Sequence, residues 1–180
     1  MIQVIEIMRE VAQRTSDEYL KKYAKPNAAP VKFFADNYSM VGDTLNKMGQ
    51  SAKMQREKYP AIFLFNDQMN PVDAPPLKQW KVEASLHVLI VADMVEGNAD
   101  RKRERLYYPV LDPICECLKS ALTHHPQLFT SGNYAPKMNP HHRYNLVAIL
   151  GRNRLFADKL DGIEIKNLKL YFREKNCLID

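Results

Sequence analysis

The alternation that begins at Trp80 limits the possible folds of this chain more than any other feature. Trp80, Val82, Ala84, Leu86, Val88 and Ile90 are apolar, and Lys81, Glu83, Ser85 and His87 between them are polar. A period of two belongs to a β-strand with one covered face. At Leu89 and Val91 the second face turns apolar as well. The strand is therefore expected to start half exposed and end buried, with His87 on its solvated face. At about 3.3 Å per residue, residues 80–92 would span roughly 40 Å. That is long for a chain of 180 residues, and it implies a ribbon that reaches beyond the core.

Such a strand needs partners, and the sequence offers several. "KYPAIFLFND" holds a continuous apolar run, Ala61 to Phe65, of the length of a strand buried on both faces. "IEIKNLKLYF" changes parity midway. Ile163 and Ile165 share one face while Leu168, Leu170 and Phe172 fall on the other parity. A β-bulge near Asn167 would bring them back together. "VKFFA" is a short strand candidate, and "NLVAIL" (145–150) a buried one.

Helical spacing fills other segments. Met1, Val4, Ile5, Met8, Val11 and Ala12 form a stripe, which predicts an amphipathic helix that either continues through "SDEYLKKY" or gives way there to a second helix capped by Thr15 or Ser16, and "KPNAAP" then breaks it. Val41, Leu45, Met48 and Ala52 step by four, three and four, with Gly42 and Gly49 weakening the pattern. Tyr107, Leu111, Ile114, Leu118 and Ala121 form a third stripe, widened by Val110 and Cys117. Pro109 suits the first turn of that helix, and Pro113 is expected to kink it. The segment from His125 to Tyr144 reads as an irregular, proline-punctuated connection. The sum is an α+β fold: a mostly antiparallel sheet of about four longer strands with helices packed on one face. It is expected as a single domain over residues 1–180, with 1–36 as an N-terminal helical extension and 37–180 as the core.

Just before the third stripe lies a dense basic run, Arg101, Lys102, Arg103 and Arg105. It is off the apolar stripe, so it is expected in a loop or a separate first turn, exposed to solvent. With Arg143, Arg152 and Arg154 it makes a set of candidate partner- or DNA-facing residues. The net charge of +5 permits a polyanionic partner without requiring one. Phosphate contact of this kind positions or steers nucleic acid and does not read its sequence.

Catalytic patterns are sparse. Glu164-x-Lys166 has the spacing of a metal ligand and a catalytic lysine on one strand face, as in metal-dependent nucleases. Its upstream acid is lacking: Asp158 and Asp161 lie too close in the chain and Asp112 falls on a helix. His124-His125 and His141-His142 have no third ligand at a useful spacing and are expected in solvent-exposed loops. No G-x-S-x-G and no glycine-rich phosphate loop occurs. Cys115 and Cys117 are expected to pack a helix. An odd number of cysteines, Cys115, Cys117 and Cys177, and an N-terminus without a basic leader point to reduced thiols in a cytosol. No apolar run approaches the roughly 20 residues of a membrane span. The chain is therefore expected to be no enzyme and to hold no cofactor and no metal.

The order of elements is similar to that of a family from phages and prophages of Bacteroidetes, the tail-terminator or head–tail neck (connector) proteins. The matching pieces are "GDTLNKMGQSAKM", "KYPAIFLF", "WKVEASLHVLIVAD", the charged segment leading into "YYPVLDPICECLKSAL", "DGIEIKNLKL" and Cys177. The resemblance covers roughly residues 40–177; segment 133–159 departs most. It implies a structural virion protein whose small α+β protomer assembles with itself into a ring around the DNA channel. Its partners would be neighbouring neck, portal-associated or tail proteins, in the virion and, during assembly, in the host cytoplasm, with no membrane. A non-sequence-specific DNA-binding module and a metal-dependent nuclease built on Glu164 and Lys166 are the alternatives.

Overall fold

A computed structural model describes residues 2–23, 25, 26, 28–36, 47–48, 58–72, 82–146 and 159–172. The chain opens with helix α1 (Ile2–Lys22), followed by strands β1 (Lys32–Asp36), β2 (Ala61–Val72) and β3 (Val82–Asp93). A continuous helical stretch comes next: α2 (Ala99–Lys102), a π-helical segment (Arg103–Leu111) and α3 (Asp112–Thr123). A short 3-10 turn (Gly132–Tyr134) and strands β4 (Pro140–Arg143) and β5 (Leu160–Phe172) complete the described elements. The strands form one open sheet in the order β1-β2-β3-β5-β4. β1 runs parallel to β2 and every other neighbouring pair is antiparallel. Among the described residues the fold is α+β with five strands, where about four longer ones were expected. The extra strand is β4, whose Pro-His-His-Arg sequence has no apolar alternation; it is an edge strand with mostly exposed side chains and buries nothing that would show in the sequence.

The two faces of the sheet carry different cores. On one face Ile62, Leu64, Leu86, Val88, Ile90, Ile163, Ile165, Leu168 and Leu170 pack against the helices. α1 contributes Val4, Ile7, Met8, Val11, Ala12 and Tyr19, and α3 contributes Ile114, Cys115, Cys117, Leu118, Ala121 and Leu122. α1 is therefore integral to the core, and β1 is part of the sheet; neither is an extension. The opposite face gathers Ala61, Phe63, Phe65, Leu89, Val91, Leu146 and Leu160 with Tyr59. Ala61 to Phe65 are all buried, as a strand covered on both sides must be.

The parity change in β5 is resolved by a bulge. Leu86 pairs with Leu168 and Val88 with Ile165, so His87 stands opposite two residues, Lys166 and Asn167. Asn167 takes φ of 54°, a left-handed conformation that asparagine tolerates better than most residues. One extra residue thus restores Ile163, Ile165, Leu168, Leu170 and Phe172 to a common face. Near the other end of β5, Gly162 lets the strands meet closely. A Cβ there would lie 2.4 Å from the Ile90 carbonyl oxygen and 2.9 Å from Leu146 Cδ1.

The helix carrying the basic run differs from the expectation. Asn98 caps it, its side-chain oxygen accepting from the Arg101 N–H at 3.0 Å. Residues 99–123 are then helical without a break, so the run is neither a loop nor a detached turn. Pro109 lies inside the π segment and Pro113 in the first turn of α3, the reverse of the expected roles. The exchange has a physical cause. Proline lacks an N–H and its ring crowds the carbonyl four residues back, and widening the turn accommodates both. The Asp112 N–H accordingly reaches the Tyr107 carbonyl, five residues back.

The helical stripe proposed for Val41 to Ala52 lies almost wholly outside the described residues, as does "NLVAIL" beyond Leu146.

Candidate functional site

The π segment decides which basic residues face out. A π turn holds about one residue more than an α turn. The position one turn before Leu106 and Tyr107 is therefore Lys102, which points to the sheet instead of to solvent. Its ammonium donates to Asp161 Oδ1 at 3.0 Å and Oδ2 at 2.9 Å, and to Asn145 Oδ1 at 3.1 Å. Both members of the ion pair are buried, at 6% and 0% side-chain exposure. Asn145 donates its backbone N–H to Asp161 Oδ1 at 2.8 Å. Lys102 is thus a structural cation, and its place among partner-facing residues is corrected. Arg101, Arg103 and Arg105 remain exposed. Arg103 holds Asp100 at 3.1 Å, an exposed pair one turn apart. Tyr107, buried beside Lys102, donates its hydroxyl to the Arg143 carbonyl at 2.8 Å, tying the helix to β4.

A second polar cluster occupies the opposite face of the sheet. His87 on β3 and Glu164 on β5 are side by side, with Nε2 2.9 Å from Oε1. Arg143 at the end of β4 donates Nε–H to Glu164 Oε2 at 2.7 Å. Lys166 reaches Oε1 at 3.3 Å. His87 is only 3% exposed, so its expected place on a solvated face is corrected: the strand is covered on both sides at this point. Burial holds the His87 imidazole below its usual value of 6.5, against the pull of Glu164. A neutral ring with the proton on Nε2 is the donor this geometry asks for. Burial pushes the Glu164 carboxyl up, but the Arg143 hydrogen bond and the charges of Lys166 and Arg143 outweigh it and hold the group below the ordinary carboxylate range.

Glu164 and Lys166 do share a face, as their spacing predicts. The chemistry open to them is set by their neighbours. The Glu164 carboxylate is already held by His87, Arg143 and Lys166. Asp161 stands on the opposite parity of β5 and is engaged by Lys102 from the helix side, so the two acids do not converge. Among the described residues no three His, Cys, Asp or Glu side chains gather in a metal-binding arrangement. Arg143 is engaged with Glu164 and half-buried, which leaves it a sheet-edge clamp. Arg152 and Arg154 lie outside the described residues.

The histidine pairs also separate. His124, His141 and His142 are exposed, the last two on strand β4 and not in a loop, while His125 lies in a loop but is 2% exposed and faces Glu10 Oε2 at 3.2 Å, a correction to its expected exposure. His142 meets Asp112 at 2.8 Å and lies over the Tyr107 ring with 4.4 Å between centroids. Cys115 and Cys117 are buried thiols, and burial pushes them up to about 12 and about 11.

One surface feature escaped the sequence reading altogether. An open groove of about 520 Å³ lies between the C-terminal end of α1 and the π segment. Tyr19, Tyr23, Pro26, Tyr108, Pro109 and Pro113 form its apolar lining, and Lys25 and Arg105 add charge. Tyr23 and Tyr108, at 50% and 60% exposure, are the exposed large hydrophobic residues of the described chain. The doubled "YY" before Pro109 is a local hint, because an amphipathic helix has room for only one of two adjacent tyrosines on its buried side.

No family model and no curated protein matches this chain.

Proposed function

We propose that the chain is a structural subunit of a phage neck or tail, a tail-terminator or head–tail connector protein that forms a ring around the DNA channel. The observation that carries the reading is the open sheet with two unlike edges. Among the described strands β1 pairs only with β2, and β4 only with β5. A ring is built by head-to-tail contact between two different patches of one subunit, and a sheet of this kind offers two such patches. The element order shared with that family supports the same reading. In it the protein performs no catalysis, and Glu164 is a strut of the sheet. Its contacts are its own copies and the neighbouring neck, portal-associated or tail proteins, in the virion and earlier in the host cytoplasm. No helix among the described residues is long and apolar enough to cross a membrane.

Arg101, Arg103 and Arg105 favour a second reading, non-sequence-specific contact with DNA, because all three are exposed on one helix. Light scattering and negative-stain microscopy of the purified protein test the first reading: closed rings of one size with a central hole support it. A protein that stays monomeric at every concentration reached refutes it. A monomer that binds duplex DNA with a steep loss of affinity in salt supports the second reading instead. Magnesium-dependent cleavage of DNA, abolished in Glu164→Ala, would overturn both.

A further inference from the structure

The groove between α1 and the π segment has a defined chemistry. Three tyrosines and three prolines line it, and its charges are Lys25 and Arg105. Neither cation has a carboxylate partner among the described residues, and no acidic residue is among those that line the groove. Aromatic and proline-lined grooves of this shape bind extended, proline-rich peptides, whose stiff backbone loses little entropy on docking. Two free cations at the rim select a peptide that carries negative charge.

The chain itself contains such a peptide. Residues 73–77, which join β2 to β3, read Asp-Ala-Pro-Pro-Leu. They combine a carboxylate, two consecutive prolines and an apolar residue. Within one subunit the strand ends that flank this segment and the groove lie at opposite ends of the β2–β3 ribbon. Val72 pairs with Glu83 at one end of the β2–β3 ribbon, and Ala61 with Val91 at the other. The groove belongs to the second end. Lys32 pairs with Ala61, and the Val31 N–H bonds Ser16 Oγ of α1 at 3.0 Å. Tyr107 of the π segment lies 3.4 Å from the carbonyl oxygen of Gly162, the partner of Val91. Along β3 the eight residue steps from Glu83 to Val91 separate the two ends by about 26 Å.

We infer that the Asp73–Leu77 segment of one copy docks in the Tyr23–Tyr108 groove of the next, with Asp73 facing Arg105 and Lys25 and the prolines lying on the tyrosine rings. The contact is head-to-tail, joining opposite ends of successive copies. It deepens the assembly reading above by naming a joint between subunits, although the docking itself is measurable without a ring.

The test uses the full chain carrying Asp73→Lys as receptor, so that its own arms do not compete. A fluorescent peptide of residues 69–78 is titrated with it and followed by polarisation. Saturable binding is expected, weakening as salt rises. Arg105→Glu in the receptor, or Asp73→Asn in the peptide, should weaken it about tenfold or more, and Tyr108→Ala should weaken it too. An Asp73→Lys peptide should regain binding to an Arg105→Glu receptor that keeps its own Asp73. Both receptor residues are exposed, so both variants should fold. No saturable binding at millimolar peptide overturns the inference. So does binding insensitive to Arg105 and Tyr108, equal binding of an acidic peptide without proline, or tighter occupation of the groove by oligo-dT. Rings that persist unchanged in Arg105→Glu protein also overturn it and leave the assembly reading standing. Peptide binding in a protein that never forms rings removes the neck reading and keeps the docking site.

Discussion

Within one basic run, Lys102 and its neighbours should behave oppositely when replaced. Lys102→Met keeps the aliphatic stem and removes the ammonium, so three hydrogen bonds to Asp161 and Asn145 are lost. Asp161, 0% exposed, would be left as a buried carboxylate with the Asn145 N–H as its remaining hydrogen-bond donor. Breaking a buried ion pair from one side costs about 3–5 kcal/mol, because the surviving charge is uncompensated. With a urea dependence of about 2 kcal/mol per molar, the midpoint of unfolding should fall by about 1.5–2.5 M. The triple replacement of Arg101, Arg103 and Arg105 by Ser should leave the midpoint nearly unchanged, since exposed substitutions stay within about 0.5 kcal/mol each. Adding Asp161→Asn to Lys102→Met should recover part of the loss, because the amide is neutral and still accepts from Asn145. The assay is equilibrium urea unfolding followed by far-ultraviolet circular dichroism, with the three variants measured side by side. A Lys102→Met midpoint within error of wild type, or a triple-serine variant that loses as much, would refute the placement of Lys102. A double variant weaker than Lys102→Met alone would refute the electrostatic account of the loss.

The other expectations follow from burial and charge. Leu118, fully buried between α3 and the sheet, should cost about 2–5 kcal/mol when cut to Ala, read from the same urea transition. Acid should destabilise the fold in two windows. His87 is held below 6.5, so the unfolded chain takes up the proton first and stability falls as pH drops from about 6.5 towards the folded value. Glu164 is also held low, so its contribution is present above the ordinary carboxylate range and lost as pH falls through its own depressed value. His125, lowered mainly by burial, adds to the first window. His87→Gln should therefore flatten part of the loss near pH 6, and an unchanged pH profile of stability would contradict this. In a Cys177→Ser background, Cys115 and Cys117 should stay unreactive to a thiol reagent at pH 8 until denaturant is added, since both are buried and protonated. Rapid labelling of the native protein would contradict their packing against α1 and the sheet.

What the sequence determined by itself, among the described residues, was the kind of element over the strongest periodic segments. The alternation after Trp80, the run from Ala61 to Phe65 and the stripe from Tyr107 to Ala121 each required a particular element with a particular buried side, and the fold has them. Even the bulge at Asn167 was legible, because a parity change inside an apolar strand leaves few other remedies. The tertiary structure alone decided the fate of the polar residues. Lys102 looked solvated among its basic neighbours, His87 because it shares parity with Lys81, Glu83 and Ser85, and His125 because it opens a proline-punctuated connection; nothing local signals a partner 59, 77 or 115 residues away. The π segment from Arg103 to Leu111 puts Lys102 on the inner side with both Leu106 and Tyr107, a side that the α-helical stripe drawn from Tyr107 did not include. β4 stayed hidden because an exposed edge strand is defined by the backbone of its neighbour and not by its own side chains. The groove was hidden for a related reason: it is made by residues 19–28 meeting residues 105–113, and its shape exists only where two helices approach.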